Sequence, residues 1–155
     1  MMTTASHLST ADADLVGEVI SKCLLTRTRS LSRVITSIYD QEMRPFGVNA
    51  SQFSMLVSIA RMGKASRAEL GRANHLERST STRNLQLMLD DGWAEEIAPA
   101  EGKGRSRPIV LSKAGRELLK TAMPAWRVAQ ARAERMLGEE GAATLQKLAD
   151  SLPAE

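Results

Sequence analysis

Aromatic side chains make up only 3% of this 155-residue chain, so any interior must be filled by aliphatic groups and the eight methionines. A single cysteine, Cys23, excludes an intramolecular disulfide and fits a reducing compartment. No apolar run reaches the roughly 18 to 20 residues that a membrane-spanning helix needs, and the opening MMTTASHLSTADADL lacks the basic-then-apolar order of a secretory signal. A soluble cytoplasmic protein with no membrane partner is therefore expected. Histidine is nearly absent as well: His7 lies in a polar tail and His75 between two short predicted helices, neither with an acid or nucleophile at a telling spacing. His75 reads as a surface turn residue. Without a Cys/His cluster or a glycine-rich loop after a strand, neither an enzyme nor a metal or other cofactor is expected.

What is present points to one folded domain, because 43% hydrophobic residues in a chain of this length suffice for a core. The net charge is only +3, but it is unevenly spread. Six basic residues between Arg61 and Arg83 face two acidic ones, residues 84–101 carry five acids and no base, and residues 102–120 return to six bases against Glu117. A fold that joins the two basic blocks has one positive face.

Apolar residues from Leu15 through Val19, Cys23, Leu31 and Ile35 to Ile38 recur at three-and-four spacing, which predicts one long amphipathic helix from about Asp12 to the breakers Pro45 and Gly47. The first ten or so residues are small and polar, and are expected to fray. Asn49 with Gln52, and Ser66 with Glu69, are capping pairs that open two further helices; in the first, Phe53, Leu56, Val57 and Ala60 are expected to face inward. LERSTSTRNLQLMLDDGW then reads as a third helix stopped at Gly92, with Leu85, Met88 and Leu89 on one side and Ser79, Thr82, Arg83 and Gln86 on another. WAEEIA and Ile109 to Leu111 alternate as short strands around PAEGKGRSR, a basic, glycine-containing hairpin. Ser112 caps a helix with an expected kink between Lys120 and Pro124, and a last helix from about Glu139 to Leu152 aligns Leu145, Leu148 and Leu152. The fold class is mainly α with a small β-hairpin, an α+β plan.

Hydroxyl side chains are middling helix formers, so their crowding into one helix asks for a reason. A solvated surface cap is the plainest. The alternative is a helix that enters the DNA major groove: short Ser and Thr side chains allow close approach, while Arg83 makes a bidentate guanine contact or grips phosphate. On that reading Arg78, Ser79, Thr80, Thr82, Arg83 and Gln86 are DNA-binding candidates. Lys103, Arg105 and Arg107 join them, because cations at alternate positions of a hairpin fit the narrow minor groove. A basic helix and hairpin used for protein contact is the competing class, which salt dependence of binding distinguishes.

Between about Cys23 and Trp126 the chain resembles the MarR-type (multiple antibiotic resistance regulator) winged helix-turn-helix regulators of bacteria. NASQFSMLVSIARMG is similar to the family's Thr-x-x-Gln-Phe helix, SRAELGRANHLERSTSTRNLQLMLDDGWAEE to its recognition unit, and LSKAGRELL to its Leu-Thr-x-x-Gly-x-x-Leu junction. The resemblance implies a winged helix-turn-helix over 49–111, flanked by dimerisation helices at 12–44 and 112–155. It implies too a homodimeric repressor on a pseudo-palindromic operator of double-stranded DNA, released by a small aromatic or carboxylate effector. One departure stands out: where the family carries Asp-x-Arg in the wing, this chain has Lys103 and Arg105, so either Glu101 substitutes for the missing Asp or the wing is looser and depends more on phosphate attraction.

Two residues groups keep two readings each. In hydroperoxide-sensing relatives a first-helix cysteine is oxidised, and Cys23 lies in a similar region; its neighbours Ile20, Leu24 and Leu25 argue instead for a buried packing role. Arg27, Arg29 and Arg33 either pair with an anionic effector or line a solvated helix face.

Overall fold

A computed structural model of the chain describes residues 9–98 and 107–153. The chain separates into two compact units whose boundary follows Thr36. The tail expected to fray lies largely outside the described residues.

In the first unit, α1 (Thr10–Lys22) starts where the Ser9 hydroxyl accepts a hydrogen bond from the Asp12 amide. It stops at Cys23, whose ψ of 107° leaves the helical region, and α2 (Leu24–Met43) begins at the next residue. The single long helix expected from the apolar spacing is thus two helices. Cys23 serves both, closing α1 through its N–H to the Val19 carbonyl and opening α2 through its own carbonyl, which accepts from Arg27 N at 3.3 Å. The Arg27 guanidinium folds back onto the Ser21 carbonyl at 2.6 Å and satisfies an acceptor stranded at the end of α1. Apolar spacing marks the residues that share a face and carries no sign of a one-residue break in the backbone. The large side chains of that face are not core: Leu15 is 64% exposed, Ile20 67% and Leu24 78%.

The second unit starts with the last turns of α2 and a 3-10 turn at Arg44–Phe46. There follow α3 (Ala50–Met62), α4 (Arg67–Ala73), α5 (Arg78–Asp90), β1 (Ala94–Glu96), β2 (Ile109–Leu111) and α6 (Lys113–Asp150). Both capping boxes form: Asn49 with Gln52 on α3, and Ser66 with Glu69 on α4. The buried face of α3 is Gln52, Phe53, Met55, Leu56 and Ile59. Val57 and Ala60, expected inside, are exposed. The stripe centres on Leu56, and one residue of rotation, about 100°, carries Val57 out of it.

β1 and β2 pair antiparallel with Ala94 opposite Leu111, and Ile109 also bridges Ala65 just before α4. One core cluster gathers Met55, Leu56, Ile59, Leu70, Leu85, Met88 and Ile109 beneath the three short helices and the hairpin base. A second holds Met43, Val48, Phe53 and Ala122, and Trp93, Leu118 and Leu119 pack against both. The start of α6 therefore belongs to this core as much as to any dimer contact. Its Ser112 cap accepts from Gly115 N at 2.9 Å and donates to the Gly92 carbonyl at 2.6 Å. That brings Gly115 so near Trp93 that a β-carbon there would stand 2.1 Å from the Trp93 carbonyl oxygen.

The backbone of α6 keeps helical φ and ψ through Pro124, within the stretch Lys120 to Pro124 where a kink is expected; its non-helical residue is Gly138, with φ 71° and ψ 165°. Proline removes one amide donor, but the surrounding turns are anchored by Ala122, Ala129 and Ala133, all buried. Glycine tolerates positive φ, so the direction changes there, one residue before the predicted last helix. Beyond it Leu145, Leu148 and Leu152 are exposed. No described helix is long and apolar enough to cross a membrane.

Candidate nucleic-acid interface

Two helices and a hairpin base build the candidate surface. α4 ends at Asn74, and His75 turns the chain with φ 49°, a left-handed conformation that shortens the link to α5. Leu76 N–H then donates to the Gly71 carbonyl at 3.0 Å. Ser81 fits against Gly71: a β-carbon on that glycine would lie 3.3 Å from the Ser81 hydroxyl oxygen. One hydroxyl of the Ser/Thr run is thus used inward, to let the two helices close on each other.

The predicted candidates on α5 point out. Arg78, Ser79, Thr80, Thr82, Arg83 and Gln86 are all exposed, whereas Leu85 and Met88 on the opposite side are fully buried. Arg78, Ser79, Thr82, Arg83 and Gln86 border one shallow recess. Thr82 donates to its own helix at the Arg78 carbonyl, 2.8 Å away, and Gln86 Nε2 donates to Asp90 Oδ1 at 2.9 Å. Each bond uses one donor hydrogen and leaves the Thr82 hydroxyl oxygen able to accept, and the Gln86 amide its carbonyl oxygen and second N–H. No side-chain hydrogen bond caps α5 at Glu77.

A second concavity lies between α4, α5 and the hairpin base, bordered by Arg67, Arg72, Arg78, Thr82, Glu96 and Arg107. Arg107 is the one predicted hairpin cation among the described residues, and it meets the helix candidates here; Lys103, Arg105 and Glu101 lie outside them. Arg67 and Arg72 were not among the predicted site residues, although the basic block from Arg61 to Arg83 contains both. Arg67 makes an ion pair with Glu96 across 29 residues of sequence. Nothing local announces that pair.

At the head of α4, the Ser66 amide and hydroxyl both donate to Glu69 Oε2 at 2.7 Å. The amide bond, then the hydroxyl, hold the Glu69 carboxyl below its ordinary pKa. Among the described residues there is no group of three His, Cys, Asp or Glu able to hold a metal ion.

The model of the MarR family matches residues 46–106, the span from α3 into the hairpin. The transcriptional regulator MosR of M. tuberculosis, solved in complex with DNA, is 32% identical to this chain; the match covers 84% of this chain and 98% of MosR at a TM-score of 0.67. The chain belongs to the MarR family. Membership accounts for the order of elements, a helix-turn-helix followed by a winged hairpin. The same fold is found in a cysteine-to-serine mutant of E. coli MarR complexed with operator DNA, 20% identical, with a TM-score of 0.76 over 88% of this chain and 98% of that one. YwoH, an uncharacterized HTH-type transcriptional regulator of Bacillus subtilis strain 168, is 26% identical over 94 residues, 61% of this chain and 67% of YwoH.

In the first unit, Cys23 departs from the packing role its apolar neighbours suggested. Ile20, Leu24 and Leu25 are themselves exposed, and Cys23 is half-buried. The Thr26 hydroxyl donates to its sulfur at 3.4 Å, and that bond, followed by the Thr26 amide, draws the thiol pKa below its ordinary value.

Proposed function

We propose that this chain is a sequence-specific double-stranded DNA-binding transcriptional regulator, a homodimeric repressor released by a small aromatic or carboxylate effector. The observation that carries it is the division of α5 into a fully buried side, Leu85 and Met88, and an exposed side of short hydroxyls with Arg83 and Gln86. Such a helix is held rigidly from behind while presenting hydrogen-bonding groups to base edges. The arginines of the neighbouring cleft supply phosphate contacts that orient it without reading sequence. The DNA complex of MosR, a family relative, supports the same use.

A pseudo-palindromic operator needs two reading units. The exposed Leu15, Val19, Ile20 and Leu24 in the first unit, and Leu145, Leu148 and Leu152 at the end of α6, are apolar surfaces of the kind a twofold partner covers. For the effector, Arg29 and Arg33 are exposed, whereas Arg27 is bound to the Ser21 carbonyl. The test is binding of the purified chain to duplexes selected from a random library, followed across a salt series. A selected consensus with affinity falling steeply as salt rises supports the reading; no enrichment of any sequence refutes it.

Cys23 favours a second reading of the release signal. A thiol beside a hydroxyl donor and at the start of a helix has raised thiolate character. Its thiolate attacks one oxygen of a hydroperoxide: the S–O bond forms as O–O breaks, and the leaving alkoxide or hydroxide takes a proton to become alcohol or water. The product is a sulfenic acid. Peroxide that weakens DNA binding by the wild type but not by Cys23→Ser supports it; an equal effect on both excludes it.

A further inference from the structure

Within the second unit the first turn of α3 is gripped from two sides. Asp40, near the end of α2, accepts a hydrogen bond from the Ala50 amide at 2.7 Å through Oδ1. Asn84, on α5, donates through Nδ2 to the Ser51 hydroxyl oxygen at 2.9 Å. These are adjacent residues of one turn. Among the described residues, Asn84 makes the side-chain hydrogen bond that ties α5 to another element; those of Thr82 and Gln86 stay within the helix.

The rest of the attachment of α5 is apolar. Leu85 and Met88 are fully buried and set how deep the helix sits. Burial of apolar surface is non-directional, so it resists withdrawal of the helix more than sliding or rotation about its axis. A hydrogen bond fixes direction and distance. Asn84 is next in sequence to Arg83, so a rotation released at Asn84 moves the Arg83 guanidinium by a comparable angle. Bidentate reading of a base edge fails under small misplacement.

We propose that Asn84 and Ser51 are a positioning pair that fixes the rotation of the reading helix, and that Asp40 ties the same turn to the end of α2. The pair acts through Arg83 and does not itself read bases. This rests on the proposed DNA-binding function and adds to it how the reading face is aimed. Movement at the end of α2 reaches α5 through one turn of α3, without passing through the hairpin.

The experiment compares Kd for a duplex selected by the wild-type chain with Kd for its scrambled counterpart, for wild type, Ser51→Ala, Asn84→Ala, the double variant and Ser51→Thr. Both alanine variants are expected to lower the selected-to-scrambled ratio by about threefold to tenfold, with the double variant no worse than either single. Affinity for the scrambled duplex and the melting temperature are expected to stay near wild type, and Ser51→Thr, which keeps the acceptor, to keep the ratio. Equal loss for both duplexes, additive losses in the double variant, or a fall in melting temperature that accounts for the loss overturns the pair as a positioning device. An unchanged ratio overturns it too, while leaving the DNA-binding function standing. Failure of the wild type to select any duplex removes that function, and this inference with it.

Discussion

Gly115 and Trp93 are in closer contact than any other side chain would allow, with the carbonyl oxygen of Trp93 2.1 Å from the position a β-carbon on Gly115 would take. The contact seats the start of α6 on the hairpin base. Gly115→Ala is expected to lose about 2 kcal/mol by forcing helix and strand apart, a fall of roughly 4 to 8 °C in melting temperature for a chain of this size. A thermal melt within 1 °C or so of wild type would mean that the helix shifts freely, against its packing on Leu111 and Trp93.

Arg83→Ala is expected to flatten sequence preference, with about 1 to 3 kcal/mol of discrimination lost at the base it is proposed to read. Lys103→Ala is expected to weaken all duplexes more evenly. Kd values for single-base variants of a selected duplex distinguish the two. If Arg83→Ala preserves the rank order of those variants, the reading residue lies elsewhere on α5.

Arg72 borders the cleft with Arg78 and Arg107. As a proposed phosphate contact it would contribute affinity without preference, so Arg72→Ala should reduce the slope of log Kd against log salt by about one. An unchanged slope would place Arg72 outside the contact.

Thr26→Val removes the hydroxyl that lowers the Cys23 thiol pKa. The rate of alkylation by iodoacetamide as a function of pH is expected to shift to higher pH in this variant. A superimposable profile would show that the Thr26 hydroxyl does not govern the thiol.

Glu69 has its folded pKa depressed by the Ser66 amide and hydroxyl. A depressed carboxyl contributes stability that is fully present above its unfolded pKa, near 4.3, and is lost as pH falls through the lower folded value. Melting temperatures of wild type and Glu69→Gln should therefore differ most at neutral pH and converge below about pH 4. A constant gap down to strong acid would mean that the carboxylate charge is irrelevant to the cap.

Local chemistry was legible in the sequence, and tertiary chemistry was not. Asn49 with Gln52, Ser66 with Glu69, and Ser112 each announce a helix start because cap and helix lie within a few residues, and all three form. The two sides of α5 follow from its spacing in the same way. Ser81 stood outside the predicted reading residues, but its partner was not legible, since Gly71 lies ten residues earlier and on another helix. Arg67 with Glu96, and Ser51 with Asn84, are joined only by the fold. Pro124 keeps helical φ and ψ, and the residue that leaves the helical region is Gly138, which no local rule singled out in the sequence. The break at Cys23 has no glycine or proline beside it to mark it.

The Glu96 carboxylate sits among four arginines that a nucleic acid would meet. A surface selected for grip alone would discard it. On the proposed DNA-binding function, Glu96 holds Arg67 and opposes the approach of a polyanion, so it would shorten the residence of the chain on random DNA and leave the base contacts to decide where it stays. Restraint of this kind favours quick search over long dwell, so Glu96→Gln should give a regulator that clings to the wrong places.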